Sequence, residues 1–287
     1  MSLFIEFAVQ MKCQSCADKI KSNLQDSEGI DSVKVSFDKG IVLVKTSLPS
    51  SVIKEKLEAE GNIAVLNGYG NEVGEINRTT VTGPSTSAVA MVGGNVGYSS
   101  SKIQGVIRFI QANEVCVIDG TIDGLSPGLH GLHIHECGDI SKGCESVGDH
   151  FDLKGNRRHG GPEDDDNNRH TGDLGNIKAG DNGRAVFRFK DQLLKVWDII
   201  GRSVVVTENQ DDLGKGQHPL SVINGNSGSR LACGIISRSA GLFENTKKIC
   251  ACDGVTIWDE RNKPLAGPGR RTVSDKQHST PQACSAF

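Results

Sequence analysis

Two cysteines three positions apart, Cys13 and Cys16, lie where a strand-like run gives way to a helical pattern in FAVQMKCQSCADKIKSNL. Thiols at the start of a helix face its unpaired backbone N–H groups and the positive end of its dipole, which favour thiolates. Two soft thiolates select Cu(I) or zinc over hard cations. Because two thiolates leave Cu(I) under-coordinated, a partner's thiolate can attack the bound ion, so this spacing favours a site that transfers copper.

Three other interpretations of this pair remain open from spacing alone. A thioredoxin-type redox pair also lies at a helix start, although a hairpin predicted at residues 31–46 fits a different order of elements. A structural zinc ribbon needs a second cysteine pair in the same domain, and residues 1–70 contain only Cys13 and Cys16. The two thiols could also be incidental.

Histidines concentrate in the middle of the chain. Six potential ligands fall within about 40 residues: His133, His135, His150, His159, His170 and Asp173. His133 and His135 are two apart, which on a strand places both imidazoles on one face. Imidazole suits zinc and copper, and one carboxylate completes a typical zinc set, so this segment predicts a metal centre.

A second close cysteine pair, Cys250 and Cys252 in ICACDG, lies near the other end of the chain. A disulfide between them would close a strained ring, which disfavours a structural bridge. In a mobile tail the pair could hold Cu(I) together with another protein's thiols, or take part in thiol–disulfide exchange. The pair therefore predicts transfer chemistry, with two incidental tail cysteines as the alternative.

The elements that must position these residues differ along the chain. Residues 1–70 show the order strand, helix, strand, strand, helix, strand, which is the ferredoxin-like split βαβ arrangement. Residues 71–88 are polar and rich in Gly, Ser and Thr, and predict a linker. Residues 89–240 hold short β-branched runs between long Gly- and Asp-rich loops, and predict an all-β domain. Residues 241–287 hold few apolar side chains and predict a flexible tail.

Composition narrows the class of protein. The 287 residues carry a net charge of −3, so no basic surface indicates a nucleic-acid partner. No apolar run approaches the roughly 20 residues that span a bilayer, and the first residues lack the pattern of a signal peptide. With nine cysteines and no secretion signal, a reducing cytoplasmic compartment is predicted, where close cysteine pairs more often bind metal or do redox chemistry.

The stretch MKCQSC within this order of elements resembles the heavy-metal-associated domains, which carry Cu(I) in a Met-x-Cys-x-x-Cys pattern. Met11, Cys13 and Cys16 occupy the positions of that pattern. The resemblance implies that the two cysteines bind Cu(I), and that Met11 packs beneath the loop and is not a ligand.

Residues 103–238 closely resemble copper/zinc superoxide dismutase, a Greek-key β-barrel, in GLHGLHIHE, GDHF, HGGP, RHTGDLGN, GRSVVV, DDLGKG and GNSGSRLACG. The resemblance implies the zinc ligands His150, His159, His170 and Asp173. It implies the copper ligands His133, His135 and the bridging His150. It also implies a disulfide between Cys144 and Cys233, and a carboxylate at Asp211 that links the two metal sites. An intact zinc set can hold the long loop of residues 137–175 and add folding free energy.

Two departures from that family bear on activity. The fourth copper histidine of the family falls at Thr207, and a hydroxyl is a poor ligand for copper. Arg230 matches the arginine that guides the superoxide anion. The charged residues that precede it in the family are replaced by Pro219, Leu220 and Ile223. The copper site is therefore predicted to be incomplete and fast dismutation is not expected, although weak activity stays open.

A heavy-metal-associated domain, an incomplete dismutase barrel and a Cys-x-Cys tail, in that order, resemble the family of copper chaperones that serve copper/zinc superoxide dismutase. The resemblance implies a metallochaperone that is not an enzyme, receives Cu(I) from a donor protein or transporter, and delivers it to copper-free dismutase. It implies docking as a heterodimer and help in forming the target's disulfide. Gly138 and the run Gly234–Ile236 match parts of the dismutase dimer face, so a homodimer through that face is also implied.

Two alternatives remain. The chain could be an active copper/zinc superoxide dismutase with a fused copper-loading domain, which Thr207 opposes. It could also be a general copper or zinc buffer, in which Cys250 and Cys252 would not matter for activating a dismutase. The order of hand-over between the two cysteine pairs stays open at this level, and Cys116, Cys137 and Cys284 have no assigned role.

Overall fold

The structure is a computed structural model, and it describes residues 1–59, 61–71, 86–93, 103–155, 158–164, 168–245 and 256–260. Most of the predicted linker, the pair Cys250 and Cys252, and Cys284 lie outside the described residues. The boundaries of the four segments drawn from the sequence therefore stay predictions. Across the described ranges, no helix is both long and apolar enough to cross a membrane.

The amino-terminal domain has the predicted order of helices and strands. Its elements are β1 (Leu3–Gln10), α1 (Gln14–Gln25), β2 (Ile30–Ser36), β3 (Ile41–Thr46), α2 (Ser50–Glu58) and β4 (Ile63–Gly70). The strands form one antiparallel sheet in the order β2-β3-β1-β4. The ferredoxin-like α+β fold expected from the sequence is confirmed.

Alternation along β1 decides which face of this sheet is buried under the helices. Leu3, Ile5, Phe7 and Val9 are at most 1% exposed and pack in one cluster with apolar residues of both helices. Glu6 lies between them, and successive side chains of a strand point to opposite faces. Glu6 therefore points to the face of the sheet that the helices do not cover.

The second domain is a closed antiparallel barrel of eight strands, as the all-β pattern predicts. Its strands are β5 (Ser87–Gly93), β6 (Gln104–Ala112), β7 (Val115–Asp123), β8 (Gly128–His135), β10 (Asp173–Ala179), β11 (Arg184–Asp191), β12 (Ser203–Thr207) and β13 (Arg230–Arg238). Around the barrel they follow the order β10-β11-β7-β6-β5-β13-β12-β8. Because β8 pairs with β10 and β12 and not with its sequence neighbour β7, the connections are of the Greek-key kind.

Shorter elements lie outside the barrel wall. They are β9 (Ser141–Cys144), α3 (Val196–Ile199), α4 (Ser221–Asn224) and α5 (Ile257–Glu260). The barrel interior is apolar, with Ile107, Phe109, Ile118, Leu132 and Val204 fully buried. The loop between β8 and β10 holds little regular structure besides β9, so contacts other than sheet hydrogen bonds must hold it.

A buried carboxylate, Asp119 of β7, joins the two domains. It accepts hydrogen bonds from the backbone N–H and the hydroxyl of Ser50, at 2.9 and 2.7 Å, and from the hydroxyl of Tyr69 at 2.9 Å. Ser50 is the first residue of α2, so the positive end of that helix also faces the charge. Arg108 and Arg188 are the cross-strand neighbours of Asp119 on β6 and β11. A buried charge with this many partners is a strong and specific contact.

The contact with the barrel lies at the end of the amino-terminal domain that is remote from the cysteine pair. Tyr69 is close to the last residue of β4, and Arg188 of the barrel donates to the carbonyl of Met1 at 3.4 Å. Cys13 follows the opposite end of β1, which has eight residues. A strand of that length spans about 24 Å. The thiol loop therefore points away from the barrel.

Candidate metal centres

Cys13 and Cys16 lie at the start of α1. Cys13 immediately precedes the helix, and the N–H of Cys16 donates to the carbonyl of Cys13 at 3.1 Å. The two sulfur atoms are 3.2 Å apart, and the sulfur of Cys13 is 3.0 Å from the hydroxyl oxygen of Ser15. Cys13 is exposed and Cys16 is partly exposed. A thiol pair this close and this open can share one soft ion with a ligand from another protein.

The pKa of Cys13 is lowered from its ordinary value to about 7. The largest cause is the hydrogen bond with the Ser15 hydroxyl, followed by the hydrogen bond with Cys16. A hydrogen bond donated to a thiolate stabilises its charged form. A large share of Cys13 is therefore thiolate at neutral pH, which is the form that binds metal. Met11 is partly buried and packs against the core of the domain.

Replacing Ser15 by alanine is expected to raise the pH at which Cys13 reacts with iodoacetamide. The donor that stabilises the thiolate is lost, so the midpoint should move upward from about 7 toward the ordinary thiol value. Mass spectrometry of the reduced, metal-free chain after timed alkylation at a series of pH values measures this. Ser22→Ala, an exposed change on the same helix, is the control. Equal midpoints for native chain and Ser15→Ala would show that Ser15 has no influence.

Three histidines converge on Asp173 at the start of β10. The Nδ1 atoms of His150, His159 and His170 lie 2.8, 3.0 and 3.2 Å from its carboxylate oxygens. The potential ligand atoms of the four residues all lie within 4.8 Å of one another. Three imidazoles and one carboxylate are the donors of a zinc site whose four positions are filled by protein. The structure thus brings together the four residues for which the sequence predicts zinc binding.

A second carboxylate, Asp211, orients two of the imidazole rings. It accepts hydrogen bonds from Nε2 of His159 at 2.8 Å and from Nε2 of His133 at 2.9 Å. A carboxylate in this position accepts a hydrogen bond from each ring, so the neutral rings carry hydrogen on Nε2 and keep the Nδ1 lone pair for a metal. Asp211 therefore connects two neighbouring ligand sets, as the resemblance implies.

The charges in this cluster are strongly coupled. Burial lowers the pKa of His150 to about 3, with a further contribution from His133. Burial also disfavours the charged form of His159, but hydrogen bonds to Asp173 and Asp211 outweigh it and raise the pKa of His159 to about 9. For Asp173, the hydrogen bonds from the histidines outweigh burial and hold the pKa well below its usual range. A protonated His159 between two carboxylates thus supplies the positive charge that a bound cation would supply.

The copper-like set consists of His133, His135 and His150, whose potential ligand atoms lie within 4.8 Å of one another. Nδ1 of His135 donates to the carbonyl of Gly148 at 3.0 Å, which leaves its Nε2 lone pair available. Nε2 of His135 and Nδ1 of His133 have no hydrogen-bond partner among the described residues. Burial holds the pKa of His135 well below its usual value, so the ring is neutral. Three potential nitrogen ligands are therefore close together.

Thr207, at the end of β12, is buried beside this set. Its hydroxyl lies 3.3 Å from the carbonyl of Gly131, to which it donates. Together with His135 and Arg230 it lines a cavity that opens to the surface. The guanidinium of Arg230 donates to the carbonyls of Cys144 and Gly148, each at 2.8 Å. A hydroxyl at this position adds no nitrogen to the three of the copper-like set.

A disulfide joins Cys144 of β9 to Cys233 of β13. It ties the loop between β8 and β10 to the barrel and packs with Val147 and Val205. Among the described residues, Cys116 and Cys137 are not disulfide-bonded; Cys116 is buried and Cys137 is exposed. Burial raises the pKa of Cys116, which makes this thiol unreactive.

Two models of protein families match the chain. Copper/zinc superoxide dismutase matches residues 103–236, and the heavy-metal-associated domain matches residues 6–62. Similar proteins include the copper chaperones for superoxide dismutase of Sus scrofa and Homo sapiens, 56% and 53% identical over 268 residues. Each of these alignments covers 93% of this chain and 92% of the relative. The chain belongs to the family of copper chaperones for superoxide dismutase.

The chain is also similar to a plant protein and to a solved structure. The copper chaperone for superoxide dismutase, chloroplastic/cytosolic, of Arabidopsis thaliana is 34% identical, over 91% of this chain and 71% of the relative. Among solved structures, the clock protein EA4 aligns with a TM-score of 0.51 and 38% identity, over 56% of this chain and 99% of that protein. The Sus scrofa and Homo sapiens relatives are named as chaperones and not as enzymes.

The buried Arg169 supports the histidine cluster, and the sequence does not predict this role. Arg169 is 1% exposed, pairs with Asp191 at 2.8 Å, and donates to the carbonyl of Asp173 at 3.0 Å. It therefore holds the chain on both sides of His170. In the sequence Arg169 lies in a polar loop, where nothing distinguishes a buried arginine from a solvated one.

Proposed function

We propose that this chain binds Cu(I) at Cys13 and Cys16 and delivers it to copper-free copper/zinc superoxide dismutase. The observation that carries the proposal is the exposed thiol pair at the start of α1, where one thiol has a pKa of about 7. An open pair of thiolates accepts a soft ion and releases it to a third thiolate by ligand exchange. The names of the relatives support superoxide dismutase as the target.

Zn(II) is the ion that we assign to His150, His159, His170 and Asp173. The donor set fits it, because four protein donors complete a tetrahedral site and leave no position for a substrate. Bound zinc would fasten the loop between β8 and β10 to the barrel and add folding free energy. The role of this ion is therefore structural. His133, His135 and His150 form a residual copper-like set beside it.

Docking as a heterodimer is supported by a patch of glycines and exposed apolar side chains on the barrel. Gly138 and Gly201 touch so closely that a side chain at Gly138 would collide with the carbonyl of Gly201 and press on Ile235. Ile235 and Met91 are 38% and 40% exposed on the neighbouring strands. A patch of glycine and apolar side chains suits a partner with the same patch, because two-fold interfaces are self-complementary. The same face would also support a homodimer.

Cys250 and Cys252 of this chain are proposed to act on the docked target. As thiolates they can receive Cu(I) from Cys13 and Cys16 and pass it on. As a strained disulfide they can oxidise the target: one target thiolate attacks the bond, and the second target thiolate resolves the mixed disulfide. The target then holds the disulfide, and Cys250 and Cys252 become thiols.

Fast dismutation is not part of the proposed function. Thr207 supplies a hydroxyl donated to Gly131 where a fourth nitrogen would be needed, so redox cycling of copper at this site lacks a ligand. An active dismutase with a fused loading domain is thereby disfavoured. The proposed compartment is the cytoplasm, where a donor protein or transporter would supply the copper.

The test is activation of zinc-loaded, copper-free superoxide dismutase by the copper-loaded chain in the presence of excess Cu(I) chelator. Direct transfer should give nearly the same dismutase activity with and without the chelator, whereas free Cu(I) should give none with it. A chain carrying Cys13→Ser and Cys16→Ser is the control. If the chelator abolishes activation by the native chain, the copper passes through solution and the proposal is wrong.

A further inference from the structure

After the last barrel strand the chain returns to the amino-terminal domain. Residues Gly241–Asn245 contact the sheet face that the helices leave uncovered, which is the face to which Glu6 points. Glu6 is 1% exposed, and its carboxylate accepts the N–H of Phe243 at 2.6 Å and the amide group of Asn67 at 2.6 Å. A buried carboxylate needs such partners, so segment and sheet depend on each other.

Asn67 provides a second contact between the sheet and the segment. Its side-chain amide also donates to the carbonyl of Asn245 at 3.0 Å. The pairing of β1 with β4 shifts register at this point, because Glu6 pairs with Gly68 and Phe7 pairs with Leu66. Asn67 is therefore the extra residue of a β-bulge, a feature that redirects a side chain. Next to it, a side chain at Gly68 would collide with the carbonyl of Gly241, so the close approach requires glycine.

The segment itself is held in an uncommon conformation. Phe243 has a φ of 61°, in the left-handed region that residues with a side chain rarely adopt. The N–H of Gly241 donates to the carboxylate of Glu244 at 2.8 Å, which closes the turn. Such a conformation persists only where the surroundings determine it. The bulge at Asn67, the buried carboxylate of Glu6 and the turn at Phe243 all take part in the contact between the segment and the sheet.

A second contact with the same domain follows further along the chain. Helix α5 contacts β4. At the start of this helix, the hydroxyl of Thr256 donates to the carboxylate of Asp259 and accepts a hydrogen bond from the N–H of Asp259. Cys250 and Cys252 come five and seven residues after Asn245, between the two contacts. Both flanks of the cysteine-bearing stretch therefore contact the amino-terminal domain.

We propose that the uncovered face of the amino-terminal sheet is an anchoring site for this chain's own carboxy-terminal segment. Glu6 and Asn67 act as positioning residues that set the region within which Cys250 and Cys252 can work. The inference rests on the transfer role proposed for those two cysteines. Anchoring raises the effective concentration of the tail thiols near the copper-carrying domain.

Chain length allows the anchored tail to reach the amino-terminal thiols. An extended chain spans about 17 Å from Asn245 to Cys250 and about 24 Å from Asn245 to Cys252. Along β4, the four residues from Asn67 back to Ile63 cover about 13 Å. Ile63 pairs with Gln10, and the three residues from Gln10 to Cys13 add at most about 10 Å. The path from the anchor to Cys13 is therefore at most about 23 Å, which lies within the reach of Cys252.

The test uses the full-length, reduced, metal-free chain with Glu6→Ala. Loss of the acceptor should speed hydrogen exchange at the Phe243 amide by about tenfold or more, while core amides of the sheet keep their protection. A bifunctional thiol reagent that joins Cys13 or Cys16 to Cys250 or Cys252, mapped by mass spectrometry, should react several-fold more slowly. Glu28→Ala removes an exposed acid of the same domain and should change neither result.

A second variant protects the test against a folding defect. Asn67→Ala keeps the Glu6 carboxylate that accepts the Phe243 N–H, but it removes the donor to Asn245 and one donor to Glu6. It should therefore shift both measurements in the same direction by a smaller amount. Native exchange at Phe243 in both variants, or faster exchange with an unchanged cross-linking rate, would overturn the inference. Neither measurement involves a dismutase, so failure here differs from failure of the proposed copper delivery, which the activation assay reports.

Discussion

A chain with Asp173→Asn should bind zinc about 100-fold more weakly than the native chain or worse, and its barrel should unfold at a lower temperature. Asp173 is the point on which three imidazoles converge, and the N–H groups of Gly160 and His170 also donate to it. Asparagine removes the negative charge that attracts the cation, and its neutral amide is a weaker zinc ligand than a carboxylate. A hundredfold loss of affinity corresponds to about 2.7 kcal/mol less stabilisation of the zinc-loaded chain.

Competition with a chromophoric zinc chelator measures the affinity, and calorimetry with and without zinc measures the stability. Asp181→Asn makes the same chemical change in an exposed turn and should leave both unchanged. The zinc assignment would have to be abandoned if Asp173→Asn kept native affinity. If the melting temperatures of the native chain and the variant differ with zinc bound but agree without zinc, the effect acts through the ion.

Joint replacement of Cys250 and Cys252 by serine is expected to reduce activation of copper-free dismutase by at least tenfold when a Cu(I) chelator is present. Serine hydroxyls neither bind Cu(I) well nor exchange with disulfides, so both proposed tail reactions are lost. Copper binding at Cys13 and Cys16 and zinc binding in the barrel should persist. Dismutase activity after a fixed incubation, and the disulfide state of the target by alkylation, measure the two reactions separately.

Cys284→Ser is the matched control, because it removes another cysteine of the same terminal region without touching the pair. The chaperone and the buffer interpretations predict different results for the double variant. A general copper or zinc buffer would lose nothing when Cys250 and Cys252 are replaced, since the target would draw metal from the remaining sites. Undiminished activation by the double variant would therefore favour the buffer over the chaperone.

Local pattern predicts each domain because the relevant forces are local. Alternation of Leu3, Ile5, Phe7 and Val9 marks a strand with one buried face, and spacing alone places His133 and His135 on one side of β8. The same alternation assigns Glu6 to the opposite face of the sheet. It cannot state what covers that face, because the partner, Phe243, is 237 positions away in the chain.

The metal centres, too, could be predicted only in part from local sequence. Clustering of histidines predicts that a metal binds, since chance rarely gathers imidazoles within so short a stretch. The division into two ligand sets that share His150 came from resemblance to a known family, not from spacing. The proton positions that leave Nδ1 of His133 available follow only from its hydrogen bond to Asp211, a contact between residues 78 positions apart. Loop packing, invisible in local sequence, sets that contact.

The shared core of the two domains has a consequence for synthesis of the chain. Ile110, Ala112 and Val117 of the barrel belong to the same apolar cluster as the sheet and helices of the amino-terminal domain. Asp119 follows closely and receives the start of α2. When the first 70 residues leave the ribosome they lack this part of their core, and domains usually fold in the order of emergence. The nascent copper carrier should thus reach full stability only after the hairpin of β6 and β7 has emerged.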